Sequence, residues 1–155
     1  MSEDEGAPQV LSAGFADLDA VTLYALLRLR TDVFVVEQAC PYPELDGRDT
    51  EASTTHLWTV DVAGPTSYLR VLSDPSGARR IGRVCTRGDA RGHGLAGALM
   101  EAALSLVAVR TAVLDAQSHL QGWYARYGFE PDGPPFVEDG IPHVPMRRPA
   151  STVDP

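Results

Sequence analysis

The stretch from Arg80 to Ala116 constrains the fold more than any other part of the chain. Arg80 to Val84 reads as a short strand, and after Gly94 the residues Leu95, Ala96, Ala98, Leu99, Ala102, Leu104 and Val107 recur at helical spacing. Thr111 to Ala116 follow as a compact apolar strand. A strand, helix, strand unit of this kind places its two strands side by side and parallel. Upstream, His56 to Val62, Ser67 to Leu72 and Arg80 to Val84 are strands parted by the Gly64-Pro65 and Asp74 to Gly77 turns, which implies an antiparallel meander. Together these predict an α/β (α+β) sheet, mixed and mostly antiparallel, with a single parallel junction.

Flanking segments complete the outline. Asp19 is a candidate N-cap, and Leu23, Leu26, Leu27, Val33 and Phe34 give an amphipathic helix ending near Val35 or Glu37. Cys40 to Asp49, with Pro41, Pro43 and Gly47, must be a loop. A last helix, about Leu120 to Tyr127, is closed by Gly128, and Phe136 and His143 to Met146 supply the final strands. A chain of 155 residues fits one domain, expected over 9–148, with 1–8 and 149–155 as disordered tails lacking apolar periodicity.

Charge narrows the partners. The net charge of −8 argues against nucleic acid, whose binding depends on cationic surface. No apolar run approaches the roughly 20 residues of a membrane span. Glu3, Asp4 and Glu5 do not resemble the basic start of a secretory signal, so a cytoplasmic setting is expected. Two cysteines, Cys40 and Cys85, make neither a disulfide framework nor a metal knuckle, and no metal is expected. The chain has no lysine, and five of its 13 arginines lie between Arg79 and Arg91. A basic segment in an acidic protein suits a small polyanion, since arginine's planar fork matches phosphate.

That segment runs into Arg91-Gly92-His93-Gly94-Leu95-Ala96 at the mouth of the long helix, where unpaired N–H groups and the helix dipole favour an anion. Gly92 and Gly94 remove side chains that would hold a phosphate off the backbone. No Gly-Lys-Ser/Thr follows, so this is not a Walker loop. Gly92 to Gly97 spells Gly-x-Gly-x-x-Gly, but the preceding strand belongs to a meander, and the nearest acid at ribose spacing, Asp115, lies in the next apolar strand.

Arg91, Gly94 and Ala96 resemble the Arg/Gln-x-x-Gly-x-Gly/Ala signature of the GNAT acetyltransferases. In register with it, Gly82-Arg83-Val84-Cys85-Thr86 precedes the turn, and Trp123-Tyr124-Ala125-Arg126-Tyr127-Gly128-Phe129 is similar to the family's Phe-Tyr-x-x-x-Gly-Phe segment. Leu23 to Asp49, Ala116 to Gln121 and Asp139 to His143 resemble the bacterial ElaA-like subgroup, so the likeness covers roughly residues 10–148. It implies the GNAT acyl-CoA N-acyltransferase fold, with about 6–7 strands and about four helices, splayed between strands 4 and 5. It also implies acetyl-CoA as cosubstrate. The pyrophosphate would lie on Arg91, Gly92, His93, Gly94, Leu95 and Ala96, and the pantetheine arm on Val84, Cys85 and Thr86, with Gln117 and Tyr124 nearby.

Acetyl transfer from a thioester to an amine needs a proton for the departing thiolate, an oxyanion donor and a base. Tyr124 matches the family's proton donor, and the backbone N–H of Cys85 is the candidate oxyanion donor. Glu37, ending the first helix, is the first choice of base, with His56, His119 and His143 as alternatives on the acceptor side. Tyr42, Glu44, Asp46 and Asp49 of the proline-rich loop are expected to line an acceptor cleft that selects a cationic amine. A non-catalytic acyl-CoA-binding module and an acyl-homoserine-lactone-type synthase are the alternative readings. An exposed edge strand near the C-terminus could pair two copies into a homodimer.

Overall fold

A computed structural model describes residues 7–151. Most of the two expected tails, 1–6 and 152–155, lies outside the described residues. The inner part of the second is tied down, because the Ser151 N–H donates to the Val109 carbonyl at 3.1 Å.

Among the described residues, eight strands form one sheet: β1 (Leu11–Gly14), β2 (Thr55–Asp61), β3 (Gly64–Ser73), β4 (Arg79–Thr86), β5 (Ala112–Gln117), β6 (Glu130–Pro131), β7 (Phe136–Glu138) and β8 (Ile141–Arg148). The order is β1-β2-β3-β4-β5-β8-β6, with β7 paired to β8. Of these pairs, β4 and β5 run parallel and the others are antiparallel. The count exceeds the expected six or seven because β1 and β6 are four and two residues long, too short to show an alternation.

The described residues hold three α-helices rather than four: α1 (Ala20–Thr31), α2 (Leu95–Val107) and α3 (Gln121–Ala125). Asp19 caps α1, its carboxylate accepting from the Thr22 N–H at 2.7 Å. The α-helical winding stops at Thr31, but the helical stretch runs on to Glu37, one of the two expected ends. From Asp32 to Glu37 it continues as a π-helix, a rare winding, with Phe34 packed against the same cluster as Leu26 and Leu29 of α1.

The sheet is covered on both faces at its centre, so β3 is buried without interruption from Thr66 to Leu72. Leu57, Leu69 and Val71 pack with Leu99, Met100, Ala103 and Val107 of α2. Their sequence neighbours Trp58 and Tyr68 pack instead with Leu26 and Leu29 of α1. Side chains alternate across a strand, so α1 and α2 cover opposite faces.

One irregularity places the site. β4 and β5 are in register only at Arg79↔Ala112 and Arg80↔Val113, and beyond Arg80 they diverge. On its other side β4 bulges: Tyr68 faces Cys85, but Arg70 faces Gly82, so an extra residue is accommodated at Arg83 and Val84. Arg83 takes φ +55, a left-handed value uncommon outside glycine. The strand is thereby bent away from β5, opening a wedge in the sheet.

Candidate active site

A cavity of about 800 Å³ fills this wedge. Its walls come from the π-helical turn (Glu37, Gln38), the outer half of β4 (Val84, Cys85, Thr86) and the end of β5 (Gln117). It continues to the α2 mouth, where a smaller hollow of about 240 Å³ is lined by Thr86, Arg91, Gly92, Gly94, Leu95 and Ala96. Thr86, Arg91, Gly92 and Ala96 line both, so the two spaces are contiguous.

The α2 mouth has the backbone geometry that suits an anion. Gly92 and Gly94 stand at φ +83 and +75, and a Cβ on either would meet nothing within 4 Å. Gly94 is the N-cap and no side chain caps the helix, which leaves the first amides open to the hollow. His93 lines neither space, contrary to its expected place among the phosphate contacts. His93 is exposed. Gly97, the third glycine of the dinucleotide-like spacing, has another purpose: a Cβ there would lie 2.8 Å from the Tyr127 hydroxyl oxygen. Asp115, the acid nearest to ribose-ligand spacing, is instead 3.3 Å from the Arg80 guanidinium.

Tyr124 lines the cavity, 6% exposed, edge-on to Trp123 and Phe129 at centroid distances of 5.0 and 6.2 Å. Burial pushes its phenol up to about 12, so it remains a proton donor at neutral pH. Cys85 also lines the cavity, and burial pushes its thiol up to about 12, which leaves it neutral rather than nucleophilic. Cys40 and Cys85 are both free thiols. Among the described residues, no group of three or more His, Cys, Asp or Glu is placed to hold a metal ion. No helix among them is long and apolar enough to cross a membrane.

Glu37 reaches the cavity but is engaged. Both its carboxylate oxygens accept from Arg91, at 2.5 Å each. The Arg91 hydrogen bonds, aided by its charge, hold the Glu37 carboxyl below its usual range, so in this arrangement it is a poor base. Beside it Gln117 Nε2 donates to Gln38 Oε1 at 3.3 Å across the wedge.

The acceptor side differs most from expectation. Tyr42 lines the cavity, but Glu44 and Asp46 do not. Arg30, 1% exposed, donates to Glu44 at 2.9 Å and to Asp49 at 2.8 Å. Arg70 binds Asp46 at 2.5 Å and Asp49 at 3.0 Å, and Arg83 reaches Glu44 at 3.0 Å and Asp46 at 3.4 Å. Three arginines thus neutralise the three acids, and the loop is pinned to the sheet rather than offering negative charge to a cationic amine. Tyr42 is held within this cluster: its hydroxyl donates to Glu44, and the Arg83 guanidinium lies 5.4 Å from its ring centroid.

His56 is also not on the acceptor side. It is 1% exposed, with Nδ1 2.5 Å from the Tyr68 hydroxyl and Nε2 3.0 Å from the Asp49 carbonyl. Burial lowers its pKa and favours the neutral ring, so it is a structural link between β2 and the loop. His119 and His143 do line the cavity. His143 stacks on Phe136 at 5.5 Å, its Nδ1 2.7 Å from the Ile141 carbonyl.

Arg30, Arg70 and Arg83 were missed by the pattern of the sequence, although a signal existed. Arg30 sits four residues after the buried Leu26, on the apolar face of α1, and Arg70 interrupts the apolar run Tyr68 to Leu72. A charge in either place demands a buried partner.

The geometry agrees with what comparison shows. A profile described as "Acetyltransferase (GNAT) domain" matches residues 28–149. The chain belongs to the GNAT acetyltransferase family. A UPF0039 protein of Mycobacterium tuberculosis is 53% identical over 139 residues, covering 87% of this chain and 89% of its own. The crystal structure of an acyl-CoA N-acyltransferase from Pseudomonas aeruginosa superposes with a TM-score of 0.85 at 46% identity, covering 92% and 99% of the two chains. Escherichia coli ElaA superposes equally well, with a TM-score of 0.85 at 34% identity over 92% and 99%. As a GNAT domain, the protein shares the fold of these structures.

Proposed function

We propose that this chain transfers the acetyl group of acetyl-CoA directly to a primary amine. The observation that carries the reading is the continuity of the cleft, from uncapped amides at the α2 mouth, through the wedge between β4 and β5, to the phenol of Tyr124. The open amides of 92–96 suit a diphosphate. Beyond Arg80, the edge of β4 is no longer paired to β5, so Val84 and Thr86 can hydrogen-bond an amide-bearing arm as a substitute strand. Likeness to the P. aeruginosa protein, an acyl-CoA N-acyltransferase, supports the same class.

In this reading the amine nitrogen attacks the thioester carbonyl. A backbone N–H on the splayed half of β4, where Val84 and Thr86 face the gap while Cys85 is paired with Tyr68 of β3, stabilises the developing oxyanion without rearrangement. Tyr124 delivers its proton to the departing thiolate, which gives the thiol of coenzyme A, and the tyrosinate left behind takes a proton back from water. The amine proton leaves to Glu37 or to water.

The test is a panel of amines incubated with acetyl-CoA, read by release of free thiol and by an acetyl increment on the acceptor. Thiol release that depends on an amine supports the proposal. Tight coenzyme A binding without release for any amine would leave a binding module instead. A preference for long acyl chains would favour the synthase reading.

A further inference from the structure

We propose that Glu37 and Arg91 form a latch across the cleft which an incoming diphosphate opens, so that the carboxylate is freed only in the coenzyme A complex. The inference rests on the coenzyme A reading above and deepens it. The two residues are 54 positions apart and belong to different walls, the π-helical turn and the anion-binding turn. In the free protein each nitrogen of the Arg91 guanidinium is engaged: two bind the two oxygens of Glu37, and Nε donates to the Thr86 carbonyl at 3.1 Å. Glu37 therefore presents to Arg91 the same two-oxygen face that a phosphate would present with more charge.

The contact is placed to be exchanged. Arg91 lines both the wedge and the hollow at the α2 mouth. The pair is half exposed, at 45% and 47%, where an ion pair is weakly stabilising and a competing dianion can displace it. The neighbouring residues hold the same turn over the cleft by weaker, neutral contacts: Gln38 with Gln117, and the Cys40 thiol with the Asp139 carbonyl at 3.5 Å. Transfer of Arg91 to phosphate leaves the π-helical turn attached at two points and its carboxylate unpaired on the wall of the cleft. The lowering of the Glu37 pKa by Arg91 agrees with this, since its basicity would recover once Arg91 has left.

Calorimetric titration of coenzyme A into the wild type, Glu37→Gln, Arg91→Gln and the double variant tests the latch. Removing the competitor should tighten binding about two- to fivefold in Glu37→Gln, the range that an exposed pair represents. Arg91→Gln should weaken binding, and in that background Glu37→Gln should change nothing, because no arginine remains to be freed. Unchanged or weaker binding in Glu37→Gln overturns the latch. So does a gain of equal size in both backgrounds, which would be the mere removal of a negative charge. If the wild type itself does not bind coenzyme A, the acetyltransferase reading falls and the latch with it.

Discussion

Gly94→Ala tests the anion-binding turn with its own internal control. Gly94 stands at φ +75 with nothing within 4 Å of a built Cβ, so alanine meets no clash and costs only backbone strain. That strain is about 1–2 kcal/mol, or a fall in Tm of roughly 2–8 °C for a chain of this size. Gly77, in the exposed turn between β3 and β4, stands at φ +88 and is equally unobstructed. Gly77→Ala should therefore lose the same stability. Only at Gly94 would the methyl group project into the hollow that the amides face. Disturbing one amide hydrogen bond to a charged phosphate costs about 1.5–3 kcal/mol, roughly ten- to hundredfold in coenzyme A affinity. Thermal melts and calorimetric titration measure both quantities on both variants. If the two proteins melt alike and bind coenzyme A alike, the amides of this turn do not hold the diphosphate.

Tyr124→Phe should lower turnover at least about tenfold with coenzyme A affinity within about twofold, because the phenol donates a proton without anchoring the cofactor; an unchanged kcat removes it from the mechanism. Cys85→Ala should retain kcat within about threefold, since the buried thiol, pushed up to about 12, is neutral and takes no part in the transfer. A total loss of turnover in a folded Cys85→Ala protein would assign the thiol a chemical part. Arg30→Met should cost about 3–5 kcal/mol in urea unfolding by leaving Glu44 and Asp49 short of a buried partner; a cost below about 1 kcal/mol would show that the cluster does not anchor the loop. For Asp49, burial opposes ionisation, but the hydrogen bond and charge of Arg30, with those of Arg70, outweigh it and hold the carboxyl below its ordinary value. Its contribution is thus present above the ordinary carboxylate pKa and lost as pH falls through the lowered one. Urea midpoints should fall less steeply between about pH 5 and pH 3 in Asp49→Asn than in the wild type, and equal slopes would contradict the assignment.

The parallel junction, the meander before it and the glycine turn were legible because each rests on a local rule: helical spacing after Gly94, short turns, a glycine-bearing helix mouth. The N-cap at Asp19 was legible for the same reason. What the sequence concealed depends on partners far along the chain. Glu44, Asp46 and Asp49 read as an acidic cleft because their neutralising arginines come from α1, β3 and β4. His56 read as titratable because nothing nearby in sequence shows Tyr68 closing over it. The π-helical winding of Asp32–Glu37, which aims Glu37 at Arg91, has no pattern in that apolar run to distinguish it from a continued α-helix. The bulge at Arg83 likewise appears in the register with β3, and its left-handed residue is an arginine rather than a glycine.

Titration of the ¹⁵N-labelled protein with acetyl-CoA, followed by amide shifts, bears most directly on whether a thioester is seated in the wedge. Two groups of amides should move together and saturate at one equivalent: 92–97 at the mouth of α2, and 84–86 on the splayed half of β4. Shifts confined to other surfaces, or movement at the α2 mouth with Val84, Cys85 and Thr86 unperturbed, would contradict delivery of the acyl group between β4 and β5.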